Sequence, residues 1–235
     1  MSKADWKRNS LKSIFARADL WPWKDNEIVS ILDVACGLAF KAKYIPAKIR
    51  VGVDVHEPYF EHIESDVPYV VVKHDVRKLR EIFVPKSFDL VIGCDIIEHL
   101  EKDESVQLIK DMEEIARKAV IIECPQGFIP QDIDILGYGG DHWQTHRCGW
   151  DAKELRALGY KVLVRDYTMR DVKRHSTITD IDVHVKMIDA IKFLKAPKHS
   201  IGLPYKKPVT PEPGVKKMAK KATVKKPAPK NKRSK

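Results

Sequence analysis

The chain has no run of about 18 consecutive apolar residues, so no membrane-spanning helix is expected. Its opening residues, MSKADWKRNS, are polar where a secretion signal would be apolar, and a cytoplasmic location is the expectation. It has no CxxC pair. Cys36, Cys94, Cys124 and Cys148 stand singly, which argues against a zinc ribbon and a thioredoxin-type motif. Three of the four fall at or just after apolar strand patterns, as reduced, buried thiols do. There is no G-x-x-x-x-G-K-[ST] loop, which disfavours nucleotide binding of that kind. Beyond Tyr205 there is no Ile, Leu, Phe, Trp or Tyr at all.

What the sequence does have is basic charge, unevenly placed. Of 235 residues, 43 are Lys or Arg and 33 are Asp or Glu, a formal net charge of +10. Residues 206–235 hold 12 bases and one acid, Glu212, a net of +11, so the body is close to neutral. The basic segment contains five prolines and cannot bury enough apolar surface to offset its ordering entropy. Three regions are expected: an N-terminal lid or cap over 1–30, a folded domain over 31–197, and a disordered Lys/Pro/Ala-rich tail over 198–235. The 43% hydrophobic fraction is ample for one core.

Within the body, strand and helix patterns alternate. VSILDVAC, RVGVDV, PYVVVKHDV, SFDLVIGCD and KAVIIECP are short apolar runs rich in β-branched residues, and YKVLVRDYT is a sixth. EPYFEHIES reads as a helix. A second helix is expected from about Asp103 to Lys118, where Leu108, Ile109, Met112, Ile115 and Ala116 recur at helical spacing. Asp151 and Glu154 form a capping box for DAKELRAL, which stops at Gly159. Val183 to Leu194 fits either a final strand or a short helix. The alternation predicts an α/β fold with a doubly wound, mostly parallel sheet, whose ligands bind beyond the carboxyl ends of the strands.

Those strand ends carry acids: Asp33, Asp54, Asp75 and, just after Cys94, Asp95. The loop after the first run, Asp33 to Phe40, has small residues at Ala35, Gly37 and Ala39, which allow close approach of a ligand. Asp54 lies 17 residues after Gly37, where a carboxylate can accept two hydrogen bonds from a ribose diol. A dinucleotide fingerprint would need glycine where Ala35 and Phe40 stand, so NAD and FAD are disfavoured.

In ILDVACGLAF, VGVDVHEP, KHDVRKL and SFDLVIGCDIIEHL, taken in order with GWDAKELRALGYKV, the chain resembles the class I S-adenosylmethionine-dependent methyltransferases. The likeness covers roughly Val29 to Thr168. It implies a Rossmann-like methyltransferase fold and S-adenosyl-L-methionine as cofactor. It also implies roles for nine residues. Asp33, Ala35 and Gly37 would belong to the cofactor loop and Asp54 would take the ribose. Asp75 would meet the adenine amino group between Val55 and Val76. Cys94 and Asp95 would face the cationic amine.

The acceptor side is expected beyond the fourth and fifth strands. His99, in the E-H-L run, reads either as a proton acceptor or as a structural histidine before the next helix. The loop GYGGDHWQTHRCGW offers His142 and His146 as base or substrate contacts, Trp143 and Trp150 as walls, and Arg147 for an anionic group. One His and Trp150 serving only as anchors is the other reading. The H-x3-H-x-C spacing of His142, His146 and Cys148 lacks a fourth ligand, so no metal site is expected. In LKSIFARADLWPWKDN, Leu11, Ile14, Phe15 and Ala18 share one side, and Trp21 and Trp23 either line a lid or seal the sheet edge.

The resemblance implies methyl transfer, and the near-neutral body favours an oxygen or nitrogen of a small-molecule, lipid or glycan acceptor over nucleic acid. Two alternatives stand beside it. One is an enzyme acting on nucleic acid or protein held by non-specific contacts of the 206–235 tail. The other is an inactive binding protein on the same fold.

Overall fold

Apolar, β-branched runs separated by short turns assemble into one seven-stranded sheet. The computed structural model describes residues 14, 17, 19–24, 27–65, 67–169 and 183–194. The strands are β1 (Ser30–Val34), β2 (Ile49–Asp54), β3 (Val70–Lys73), β4 (Phe88–Cys94), β5 (Ala116–Pro125), β6 (Lys161–Met169) and β7 (Val183–Phe193). Their order across the sheet is β3-β2-β1-β4-β5-β7-β6. The first five strands pair in parallel; β7 runs antiparallel to both β5 and β6. The strand order reverses between β1 and β4, which opens a crevice at their carboxyl ends.

Among the described residues, four helices with full ranges accompany the sheet: α1 (Leu79–Ile82), α2 (Lys102–Ile115), α3 (Asp141–Gln144) and α4 (Ala152–Ala157). Short 3₁₀ turns occupy Ala42–Tyr44, Glu57–His62 and Val76–Lys78. Alternation along each strand sends side chains to two cores, the mark of a doubly wound sheet. Leu32, Val34, Val91, Val120, Ile122 and Ile188 pack on one face against Met112 and Ile115 of α2, with Trp150 and Leu155. Ile31, Leu90, Ile92, Ile121 and Ile191 pack on the other face with Ile14, Leu20, Ile28 and Ile45.

Several expectations need adjusting. EPYFEHIES forms a 3₁₀ turn rather than an α-helix, with Pro58 at its start. The helix expected to reach Lys118 ends at Ile115, because Ala116 is already extended and β5 follows with no loop. The open segment Val183–Leu194 is a strand. Met187 to Ile191 are buried in succession because the cores on both faces of the sheet cover β7, Ile188 and Ala190 in one and Ile191 in the other. The Asp151–Glu154 capping box forms as read: Glu154 accepts from the Asp151 N–H at 2.7 Å.

Trp21 and Trp23 meet edge to face at 4.9 Å, and Trp23 lies 5.6 Å from Phe193. They seal a sheet face rather than line a lid. Leu11, Phe15 and Ala18, most of the 1–30 segment and the whole 206–235 segment lie outside the described residues. No helix among the described residues is long and apolar enough to cross a membrane.

Candidate active site

The loop leaving β1 takes an unusual path. Ala35, Gly37 and Ala39 all have positive φ, at 55°, 49° and 55°. A β-carbon in that region costs of the order of 1 kcal/mol, so alanine here follows a path normally given to glycine. A Cβ on Gly37 would meet only Leu136 Cδ1, at 3.6 Å. The Cys36 N–H donates to Val53 O of β2 at 3.0 Å and ties the loop to that strand, and the Ala39 N–H donates to Cys36 O at 2.7 Å and closes a turn within the loop.

Asp54 ends β2 and is buried. Its carboxylate accepts from the Gly37 N–H and the His56 N–H, each at 2.9 Å. It thus ties the β1 loop to the β2 loop, and each oxygen keeps a further lone pair. Asp33 is 3% exposed and accepts a hydrogen bond from the Tyr69 hydroxyl at 2.7 Å. Burial pushes its carboxyl up to about 7, held back by the Tyr69 hydroxyl and the Lys41 charge. Burial likewise raises Asp54.

Beyond β4 and β5 lies a buried charge network. Lys41 pairs with Glu123 and lies 3.6 Å from Asp95, while Arg165 reaches Glu123 at 3.2 Å and Asp189 at 2.8 Å. Burial pulls the Lys41 ammonium down, but the Glu123 and Asp95 carboxylates outweigh it and the group stays charged. Burial pushes Asp95 up to about 6 against the pull of Lys41. Asp95 sits at φ 52°, aimed by a strained turn after Cys94.

Asp75, Val55, Val76 and Cys94 fall as follows. Asp75 caps the 3₁₀ turn it precedes and is gripped by Arg77, whose guanidinium lies 2.6 Å away and whose backbone N–H donates at 2.9 Å. That grip holds its carboxyl below the usual range. Val76 is buried within the core, so its side chain is spent on packing. Val55 is half-buried, and Cys94 is buried beside the Lys41–Asp95 pair.

The sequence pattern gave no sign of the strap that crosses this end of the sheet. Asp134, 3% exposed, accepts from the N–H groups of Leu136, Tyr138 and Gly140 at 2.8–3.0 Å. This curls residues 134–140 so that Leu136 faces Gly37 and Tyr138 stacks on His62 at 4.1 Å. His56 Nε2 meets Tyr138 O at 2.9 Å. A short-range turn of this kind carries no apolar periodicity, although the paired Gly137 and Gly139, both at positive φ, are its local trace.

The histidines divide. His142 is exposed on α3. His99 and His146 come together with ring centroids 4.6 Å apart, both behind the β4 end. Burial, aided by His146, pushes His99 down to about 3, and burial lowers His146 as well. Arg147 donates to the carbonyls of His99, Thr145 and His142 at 2.6–3.1 Å and so clamps the loop rather than presenting a free anion site. Trp150 is 2% exposed with its indole N–H on Ile97 O, an anchor in the core. Trp143 is half-buried against His142.

The Asp33 environment gives a checkable pH dependence. Its folded pKa lies above its unfolded value, so between about pH 4 and pH 7 the native state holds a proton that the unfolded state has lost. The Asp33 contribution to stability without ligand therefore falls as pH rises through that window. Asp95 and His99 titrate in wild type and variant alike, so urea melts at pH 5 and pH 7.5 should show the wild type losing more stability, or gaining less, than Asp33→Asn. Parallel behaviour of the two proteins would contradict the assignment.

No family model matches the chain, and no curated protein matches it either. Solved structures do. TehB from Haemophilus influenzae aligns with a TM-score of 0.55 and 11% identity, over 78% of this chain and 62% of TehB. The chain therefore spans less than two thirds of that protein. A Bacillus halodurans C-125 protein, described as a candidate methyltransferase, aligns with a TM-score of 0.55 and 14% identity, over 78% of this chain and 98% of its own. A structure described as converting a disulfide bond into a thioacetal group during echinomycin biosynthesis aligns at 0.51 and 14% identity, over 80% and 82%. With five parallel strands, an antiparallel β7 inserted beside β5, and a tight loop after β1, the chain has the fold of the class I S-adenosylmethionine-dependent methyltransferases.

Proposed function

We propose that the chain is a methyltransferase that uses S-adenosyl-L-methionine and acts on an oxygen or nitrogen of a small-molecule, lipid or glycan acceptor. The observation that carries this reading is the joining of Asp54 to the small-residue loop at Gly37, 2.9 Å away, at the switch point of this fold. The residues fit the cofactor's chemistry. Asp54 keeps lone pairs for a ribose diol, and Gly37 leaves open space except toward Leu136. Asp33, Asp95 and Glu123 bring acid character to the same edge for a cationic group. When bound, the cofactor supplies an electrophilic methyl group on a positively charged sulfur.

The chain's own residues contribute alignment and charge. Asp54 and the 35–39 loop would hold the ribose end, and the Asp33 and Asp95 carboxyls would face the cationic end, which would fix the cofactor's orientation for transfer. Leu136 of the 134–140 strap lies beside Gly37 and adds an apolar side to that space. Asp75 reaches an adenine amino group only by sharing its carboxylate with Arg77. His99, pushed down to about 3 by burial, is a neutral imidazole too weakly basic to take an acceptor's proton; of the three histidines, His142 is exposed and is the one assigned to accept it.

The net of +11 in residues 206–235 favours a second reading, recruitment of a polyanionic acceptor. Transfer of labelled methyl to pooled small molecules, lipids, protein and nucleic acid, measured from low to high salt, separates the two. Label in the small-molecule or lipid pool with little salt dependence is the expected outcome. Label confined to nucleic acid or protein, falling steeply with salt, would overturn the first reading in favour of the second.

A further inference from the structure

Behind the end of β4, three side chains converge without satisfying one another. Glu98 is 2% exposed, and both its carboxylate oxygens lack a hydrogen-bond partner. His99 is 4% exposed. Its Nδ1 faces Thr145 O at 3.3 Å, and the Nδ1 of His146 faces Ile129 O at 2.5 Å. Each ring thus donates its Nδ1–H to a backbone carbonyl, which leaves Nε2 with a free lone pair. One ligand atom from each of Glu98, His99 and His146 lies within 4.8 Å of the other two.

The cluster is braced. The backbone N–H groups of Arg147 and Cys148 donate to Glu98 O at 2.8 and 3.2 Å, and the Arg147 guanidinium holds His99 O at 2.6 Å. The 146–148 segment is thereby fixed against residues 98–99. A buried carboxyl with no partner costs several kcal/mol, and native structures rarely leave one without a reason. The two neighbouring imidazoles cannot supply that partner by donating Nδ1–H, since both Nδ1 atoms are engaged elsewhere. A cation satisfies all three groups at once.

We propose that Glu98, His99 and His146 form a binding site for a first-row divalent transition-metal ion. Two imidazoles and one carboxylate suit zinc, cobalt, manganese or iron(II) better than magnesium or calcium, which prefer all-oxygen shells. Metal–ligand bonds of about 2.1 Å place ligand atoms roughly 3–3.5 Å apart, so the side chains close by about 1 Å on loading. Three protein ligands leave at least one position open to water or another oxygen or nitrogen donor. His142, exposed on α3, takes no part, so the site unites a sequential pair with a residue from a distant loop.

The test uses the full chain without a histidine tag, stripped with chelator and titrated with cobalt(II), then with zinc(II) in competition. Visible absorption reports the coordination and calorimetry the stoichiometry. Near one ion per chain is expected, with affinity falling roughly 10–100-fold in Glu98→Gln and in His146→Gln. His142→Ala should bind as the wild type does. Circular dichroism confirms that each variant is folded, and the size-matched changes at two positions keep the test valid if one fails to fold. No saturable binding by the folded wild type would overturn the site, as would binding unchanged in both Glu98→Gln and His146→Gln. No methyl donor is present, so the result is independent of the proposed transferase activity.

Discussion

Asp54→Ala is expected to weaken S-adenosylmethionine binding by about 100-fold. Two hydrogen bonds to an ionised carboxylate are each worth about 1.5–3 kcal/mol, and roughly 3 kcal/mol corresponds to that factor. The substitution also frees the Gly37 and His56 N–H groups that Asp54 holds at 2.9 Å, so the loop loses its shape along with its acceptor. Asp54→Asn retains an acceptor oxygen and should fall between. Asp75→Ala should cost less than about tenfold, because Arg77 already occupies that carboxylate. Ligand-induced shifts in melting temperature, read across the three variants, check the ranking. A folded Asp54→Ala protein that binds like the wild type would contradict the site.

Lys41→Met is expected to destabilise the fold by about 3–5 kcal/mol, the usual cost of removing one partner from a buried ion pair. Lys41 is the cation between Glu123 and Asp95, with its side chain only 10% exposed. Without it, Glu123 keeps Arg165 at 3.2 Å, while Asp95 loses the ammonium that lies 3.6 Å from it. The melting temperature should drop by about 10 °C. Adding Glu123→Gln to Lys41→Met should restore part of that loss, which a double-mutant cycle would measure. Equal melting of Lys41→Met and wild type would show that the network carries little stability.

The first five strands were largely legible because each is a short β-branched run with an acid or proline at or near its end, and periodicity reports such runs directly. The open assignment at Val183–Leu194 had a physical cause. A strand buried on both faces shows Met187, Ile188, Ala190 and Ile191 in near succession, without the alternation that separates strand from helix. The tight turn at Glu57–His62 shows apolar spacing that a helix and a 3₁₀ turn share over six residues. Asp33, Ala35, Gly37, Asp54 and Asp95 lie at the switch point because their strand ends do. The roles of Val76 and Arg147 were less accessible, since a buried valine and a carbonyl-clamping arginine look the same in sequence as a ring wall and an anion site. Least legible was the Glu98–His99–His146 cluster. His146 lies 47 residues beyond His99 and 48 beyond Glu98, across α2, β5 and a loop, and no spacing rule joins it to them.

Calorimetric titration of S-adenosylmethionine into the full wild-type chain tests the central claim most directly. One site per chain with micromolar affinity is expected, abolished or strongly weakened in Asp54→Ala measured alongside. No saturable heat from a sample shown to be folded would contradict the cofactor assignment and leave the class I fold serving as a binding scaffold.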